Sequence, residues 1–454
     1  MSAAPADRKG GEVAEEFDTD VCVVGGGPAG LVLALLLLRS GVRVAVVERA
    51  RGHHREFRGE ILQPGAMALL DELGVLTGAR ARGGHEHDRF RLVEGDRVLL
   101  EADYRLLPAP YDHLLSIPQA HVLDELLDHC AKFDGFQWLD GRRVGGLVRR
   151  EGRVAGVTAA GPEGPCTVRA RVVVGADGRY SRIRRLAGIG AGRTEAFDHD
   201  VLWFKLTEHK NTGKNTGKNT EKNTEKKSGR REAGQESRRE RARERPGVEP
   251  PLRDVRVFRA GGSPVLAYAS WPDRIQIGWT LPHQGYRDIA GQGLDHVREQ
   301  LCRAVPPYAH LIREQIRSPR DLSLLDVFSS RAERWTDDGL VLIGDAAHTH
   351  SPIGAQGINL AVQDAVVLHP VLVGALAAGD TGAARLGVFE ERRGPDIAAV
   401  MRLQTLQSKA MLSQGPIATR VRPRLARVLR HTPLYRKVLH RIAYGNPSIR
   451  ISHG

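Results

Sequence analysis

The 454-residue sequence predicts an α/β protein in which a parallel sheet flanked by helices is interrupted by a mostly antiparallel sheet and followed by C-terminal helices. Three observations predict it. Residues 20–48 read strand, glycine-rich turn, helix and strand in direct succession. Two further apolar runs, Arg171–Val174 and Leu340–Ile343, pass straight into glycine-containing turns, as buried parallel strands do. Between them the pattern changes to alternation, with Ile275, Ile277 and Trp279 on one face of a strand.

Taken in order, Val21–Val24 is a β-rich apolar run, Pro28–Arg39 is helical, and Val42–Val47 is a second apolar strand. A helix is expected from about Leu294, stopped by Pro306 and Pro307. The parallel-sheet domain is therefore discontinuous, assembled from 18–80, 116–190 and 331–395. The antiparallel domain takes 81–115 and 191–330. Residues 396–454 form a basic helical segment. There Val421, Leu425, Val428, Leu429, Leu434, Val438 and Ile442 recur near helical spacing, with arginines and Lys437 at other positions. The stripe is expected to pack on the parallel-sheet domain, with contact to an anionic membrane surface as the alternative.

The net charge of +13 suggests nucleic acid or membrane until it is located. Residues 210–249 carry +6 and residues 397–454 carry +11, which leaves the remaining body at −4. The first of these segments opens with the repeat KNTGKNTGKNTEKNTEK and has almost no apolar residues. Such a composition cannot offset the entropy of ordering, so 209–250 is expected to be a disordered surface insert. It lacks the interleaved aromatics of a nucleic-acid arm, and no nucleic-acid partner is expected. Cys22, Cys130, Cys166 and Cys302 show no metal-ligand spacing and are expected to be reduced, buried thiols. No metal site is expected. The first 17 residues contain no signal-peptide core, and the run Leu31–Leu38 is too short to span a bilayer, so a cytoplasmic location is expected. Nothing in the sequence specifies an oligomeric state.

The chemistry begins at Gly25-Gly26-Gly27-Pro28-Ala29-Gly30, a GxGxxG turn between strand and helix. Gly25 permits the tight turn, Gly27 lets backbone approach a pyrophosphate, and Gly30 allows close packing, while the helix N-terminus offers amide donors. Glu48, followed by Arg49, closes the next strand where a carboxylate can accept from a ribose hydroxyl. A second turn, Gly175-Ala176-Asp177-Gly178, precedes Ser181 and Arg184. A third, Gly344-Asp345-Ala346-Ala347-His348, leads through Pro352 to Gly354-Ala355-Gln356-Gly357-Ile358-Asn359 and another helix. Asp345 can accept from ribityl or ribose hydroxyls. The glycines admit a planar ring, and the helix N-terminus can stabilise negative charge on it.

With these three motifs in this order, the sequence resembles the class A flavoprotein monooxygenases, the family of p-hydroxybenzoate, polyketide and ubiquinone-biosynthesis hydroxylases. The resemblance covers roughly 18–195 and 325–395. It implies a Rossmann-like FAD-binding domain, with Asp177 serving FAD and NAD(P)H, Asp345 the FAD ribose, and Pro352 beside the isoalloxazine. Arg58 in FRGEILQPG matches an arginine set against the FAD pyrophosphate and incoming NAD(P)H, and that segment is also similar to squalene epoxidases. Gln119 in SIPQAHVLDELL matches a position that contacts the flavin nucleotide. The implied reaction reduces FAD with NADPH or NADH and adds oxygen at flavin C4a. The resulting hydroperoxide hydroxylates or epoxidises an aromatic, polyketide or polyene small molecule in secondary metabolism. No fixed acid–base pair is implied, so no catalytic side chain is assigned.

Tyr268, Trp271 and Trp279 are expected to line an apolar pocket, with core packing the equal alternative. His348 and His350 suit packed, hydrogen-bonded positions in their turn. His85 and His87 suit a solvated loop, as do His53 and His54, where some members of the family attach flavin covalently. A flavin-dependent halogenase needs a lysine soon after the first turn and a WxWxIP segment. No lysine lies between Lys9 and Lys132, and WxWxIP is absent. A geranylgeranyl-reductase-like reductase or redox-neutral cyclase would carry the same cofactor motifs and is the rival reading. A flavin-bearing binding protein is the second. No second strand–GxGxxG–helix unit occurs, against two-domain disulfide reductases and Baeyer–Villiger enzymes.

Overall fold

The computed structural model describes residues 15–52, 60–94, 97–194, 199–207, 253–260, 263–412 and 432–452. Its largest sheet runs in the order Thr336–Asp337, Leu340–Leu342, Gly164–Gly175, Glu15–Val24, Val44–Val47, Phe136–Leu139. The last five of these are mutually parallel. Val21–Val24 and Val44–Val47 are buried throughout, because helices cover both faces of a parallel sheet. The strands Arg143–Arg150 and Arg153–Gly161 extend the sheet from Gly164–Gly175 in antiparallel fashion. The helix Pro28–Arg39 is buried from Ala29 to Leu38 and packs on Gly357–Ala377 and Gln119–Cys130. A helix apolar all round is a core helix.

The second sheet is a roof of seven strands in the order Ser323–Leu325, His199–Thr207, Arg274–Pro282, Ser263–Ser270, Asp254–Ala260, Arg89–Glu94, Arg97–Asp103. Every pairing is antiparallel except Asp254–Ala260 with Arg89–Glu94. Side chains alternate between its faces. The outer face carries Leu202, Phe204, Ile275, Ile277 and Trp279 against the helices Leu294–Ala304 and Ala309–Gln315. The inner face carries Phe90, Trp203, Val255, Leu266 and Tyr268, which cluster with Ile61, Ala355 and Leu439 from the other side of the molecule.

Some expectations need correction. His85–His87 is a strand, paired with Leu114–Ser116, not a solvated loop. His87 is fully buried, with Nε2 3.3 Å from Ala269 O of the neighbouring seven-stranded sheet. The C-terminal helix Pro433–Tyr444 docks by Leu439 and Ala443, whereas Leu434 and Val438 point outward, 60% and 45% exposed. Val421, Leu425, Val428 and Leu429 lie outside the described residues, as do the insert, His53 and His54. The helix Ala383–Leu412 runs unbroken across position 396. Leu31–Leu38 is not the only long apolar stretch: Gly357–Ala377 is long and apolar enough to cross a membrane, but it is mostly buried inside the protein. All four cysteines are free and buried, and burial pushes the Cys22 and Cys130 thiols up to about 12.

Candidate functional site

The glycine turn is shaped by close approaches. Gly25 has φ +113°, and a Cβ there would sit 2.4 Å from Ala176 O in the second turn. A Cβ on Gly30 would fall 2.0 Å from Gly25 O, so the helix meets the strand only with glycine there. A Cβ on Gly27 would meet nothing within 4 Å. Gly27 thus leaves open room in front of the first amides of Pro28–Arg39, with Pro28 in the first turn and Ala29 and Gly30 buried. That opening, backed by unpaired N–H groups, is the form of an anion cradle. Glu48 is buried, accepting from Gly26 N at 2.8 Å and from Ala50 N at 3.0 Å, so it also holds the turn together. Arg49 is exposed, Gln119 begins the helix Gln119–Cys130, and Arg58 lies outside the described residues.

Asp177 is engaged locally. Its oxygens accept from Ser181 Oγ at 2.5 Å, Arg182 N at 2.6 Å and Ile183 N at 3.0 Å, and so cap the short helix Arg182–Leu186. Asp345 is different: its side chain is 34% exposed, with Arg179 Nε at 3.7 Å. It is the carboxylate of the set most open to a ligand hydroxyl. Gly344 (φ +58°) and Gly354 (φ +76°) take left-handed backbone, and Ala355 does so at φ +50°. A Cβ on Gly357 would meet nothing within 4 Å, so the start of Gly357–Ala377 is also open. Pro352 precedes this loop and is half-buried, as is Ile358. Asn359 serves as a staple, accepting from Gln63 N at 2.9 Å and donating to Ala355 O at 2.5 Å.

Beneath the third turn lies a buried polar network. Asp364 Oδ2 accepts from Gly344 N at 2.9 Å, and Arg393 Nε donates to Asp364 Oδ1 at 2.7 Å. Arg393 also donates to Gln363 Oε1 at 2.9 Å, so its fork is satisfied although it is 1% exposed. His348 Nε2 lies 2.7 Å from Asp364 Oδ2. His348 Nδ1 and His350 Nε2 share a hydrogen bond of 2.8 Å. Burial alone would raise the Asp364 carboxyl, but His348 and Arg393 bring it down to about 2. Burial, then the neighbouring His348, pushes His350 down to about 3.

The aromatic trio does not converge. Tyr268 faces inward in the cluster with Ala355, Trp279 lies on the opposite face, and Trp271 is 39% exposed with its ring against Gly83. Strand alternation separates Tyr268 from Trp279; it cannot be read from the sequence which face looks inward. Sequence reasoning also missed Gln63 and Glu60. Gln63 donates to Gly354 O at 2.9 Å and accepts from Tyr104 Oη at 3.1 Å. Glu60 is buried, with Lys205 Nζ at 2.5 Å and Ser270 Oγ at 2.8 Å. Both stand in the GEILQPG segment next to Arg58, and Asp364 stands in the third motif.

These features fit an extended dinucleotide carrying a planar ring: a pyrophosphate at Gly27, hydroxyls at Glu48 and Asp345, and the ring along 352–357. The model of the FAD binding domain family matches residues 18–404. A 6-methylpretetramide 4-monooxygenase of Streptomyces rimosus is 51% identical over 438 residues, 96% of this chain and 95% of its own. In fold, p-nitrophenol 4-monooxygenase PnpA from Pseudomonas putida is similar at TM-score 0.73 and 19% identity, covering 95% of this chain and 99% of its own. The anhydrotetracycline hydroxylase OxyS from Streptomyces rimosus is similar at TM-score 0.68 and 23% identity, covering 96% and 78%.

Proposed function

The chain belongs to the FAD-binding-domain family of flavoprotein monooxygenases, and from that premise we propose that it uses NADPH or NADH and O2 to oxygenate a polycyclic aromatic polyketide in the cytoplasm. The observation that carries the substrate class is the 51% identity, across nearly the whole chain, with an enzyme named for oxygenating 6-methylpretetramide.

In this reading Gly25, Gly27, Pro28, Ala29 and Gly30 hold the FAD pyrophosphate, and Glu48 the adenosine ribose with Arg49 beside it. Arg58, Gln119 and Asp177 serve the nucleotide and the incoming reductant. Gly344 and Asp345 meet the ribose or ribityl hydroxyls, and Pro352, Gly354, Gly357, Ile358 and Asn359 frame the ring. When bound, FAD supplies hydride acceptance and oxygen activation. The protein contributes position and electrostatics. Amides at the start of Pro28–Arg39 take the phosphate charge, and the start of Gly357–Ala377 stabilises negative charge on the ring. The inner face of the roof excludes water and orients the substrate. No side chain is assigned a proton-transfer role.

The test uses the FAD-loaded protein with NADPH or NADH, a polyketide-derived polyphenol and isotopically labelled O2. One labelled oxygen atom in the product is expected. Product formation without label would instead assign a reductase or a redox-neutral cyclase, and flavin that never reacts would assign a binding protein.

A second reading concerns partners. Leu434 and Val438 project from the C-terminal helix beside exposed Lys437 and Arg441, which supports peripheral contact with an anionic membrane surface. Cosedimentation with phosphatidylglycerol vesicles but not with phosphatidylcholine vesicles, lost in Leu434→Asp, is expected. Equal behaviour with both vesicle types removes this reading.

A further inference from the structure

Three adjacent roof strands place Lys205, Gln276 and Tyr268 in one rung: Lys205 opposes Gln276, and Gln276 opposes Tyr268. Directly opposed residues point to the same face. All three therefore share the inner face with Trp203, and Trp203 and Tyr268 cluster with Ala355 of the 352–357 loop. Glu60 bridges the two outer strands of the rung. Lys205 Nζ lies 2.5 Å from Glu60 Oε1, and Ser270 Oγ donates to Glu60 Oε2 at 2.8 Å. This ion pair is neutral overall, so the rung carries no net charge.

The middle of the rung is unfinished. Gln276 is 2% exposed, and its Oε1 has no hydrogen-bond partner among the described residues. Buried polar atoms of this kind are nearly always paired, and the exception calls for a donor. On the next strand, burial and then the nearby Glu60 carboxylate keep the Tyr268 hydroxyl protonated, so it remains a donor. Neighbouring strands stand about 5 Å apart. Two residues along, the Trp203 ring lies against Gly278, where a Cβ would fall 2.7 Å from it, and Leu266 opposes Gly278 on the next strand. An acceptor and a donor thus stand on directly opposed residues of the inner face, on the side of the roof where Trp203, Leu266 and Tyr268 cluster with Ala355 of the loop assigned to the flavin ring.

We propose that Gln276 and Tyr268 are specificity-determining residues that read a hydroxyl beside a carbonyl on the edge of a fused aromatic substrate. The ring hydroxyl donates to Gln276 Oε1, and the ring carbonyl accepts from Tyr268 Oη. Glu60 and Lys205 hold the rung in place and keep it neutral, which disfavours a carboxylate there. The inference rests on the functional reading above, which makes the inner roof face the substrate side.

The test is a binding titration of FAD-loaded protein with 1,8-dihydroxyanthraquinone, its 1,8-dimethoxy analogue and unsubstituted anthraquinone, followed by flavin difference spectra. The dihydroxy probe is expected to bind at least about tenfold tighter than the dimethoxy probe, since a site built to pair a hydroxyl rejects analogues lacking it. Gln276→Leu and Tyr268→Phe should each bring that preference to within about twofold. Affinity for unsubstituted anthraquinone, flavin content and Tm should not change. A preference that survives Gln276→Leu overturns the inference, as does equal binding of the two substituted probes or no binding at all. A carboxamide offers the same donor and acceptor, so anthraquinone-1-carboxamide binding tighter than the dihydroxy probe would overturn the hydroxyl–carbonyl assignment. Failure of labelled oxygen to reach product, with the preference intact, would count against the oxygenase reading alone. Oxygenation without the preference would count against this inference alone.

Discussion

At the scale of single residues, Gly27 and Gly30 make opposite demands on one turn. A methyl at Gly30 would strike the Gly25 carbonyl, whereas one at Gly27 would enter open room in front of the helix amides. Gly30→Ala is therefore expected to destabilise the flavin-free protein by several degrees in Tm. Gly27→Ala should leave that Tm unchanged while weakening FAD binding by about tenfold or more, read by flavin fluorescence titration. Equal effects of the two substitutions would remove the cradle assignment. The buried pair under the third turn sets a pH dependence. Asp364 titrates at about 2, below its ordinary 3.8, so the stability it contributes is present above pH 3.8 and is lost as pH falls towards 2. His350 titrates at about 3, below its ordinary 6.5. From pH 6.5 down to about 3 the unfolded imidazole takes up a proton that the buried one refuses, and stability falls across that window. His350→Gln should flatten the fall of Tm between pH 6.5 and 4, whatever its effect at neutral pH. An unchanged slope would show that His350 is not held neutral.

Whole elements were legible to different degrees, for physical reasons. The strand–turn–helix unit at 20–48 is local: its apolar runs and glycines lie within one short stretch, and Pro28–Arg39 forms with the expected bounds. The inner face of the roof was not legible, because alternation fixes two faces without saying which meets the rest of the molecule; hence Trp279 lies outward and Tyr268 inward. The network of Asp364 and Arg393 joins residues 29 positions apart, which no local pattern reveals. The C-terminal helix shows the same limit. Its leucine and valine spacing singled out Leu434, Val438 and Ile442, but the docked side uses Leu439 and Ala443, and Tyr435 Oη donates to Glu101 O at 2.9 Å. Tyrosine and alanine can bury as well as leucine when a strand edge offers a partner. Leu439→Ala is expected to lower stability by about 2–5 kcal/mol, against about 0.5 kcal/mol or less for Leu434→Ala, in denaturant unfolding of the flavin-loaded protein. Similar losses at both positions would mean the helix seats on its other face.

On the scale of the whole molecule, positive charge is distributed unevenly along the chain. The body carries −4, and the excess of positive charge sits in 210–249 and 397–454. The strands that flank the insert, His199–Thr207 and Asp254–Ala260, belong to one sheet with Arg274–Pro282 and Ser263–Ser270 between them. The successive antiparallel pairings bring the end of the first and the start of the last to the same end of the roof. Three strand spacings separate them, about 15 Å. A ten-residue Gly–Ser linker spans about 17 Å on average, so the connection needs far fewer residues than the chain spends on it. Shortening a flexible connection changes its closure entropy by only about 0.6 kcal/mol per halving. Replacing 210–249 with such a linker should therefore preserve flavin content, Tm and NAD(P)H-dependent turnover while lowering the net charge from +13 to +7. Retention on heparin at low salt should fall with the lost charge. Loss of flavin or of turnover in the shortened protein would show instead that the insert contributes to the site, and the Lys/Asn/Thr repeat would have to be counted as part of the enzyme's working surface.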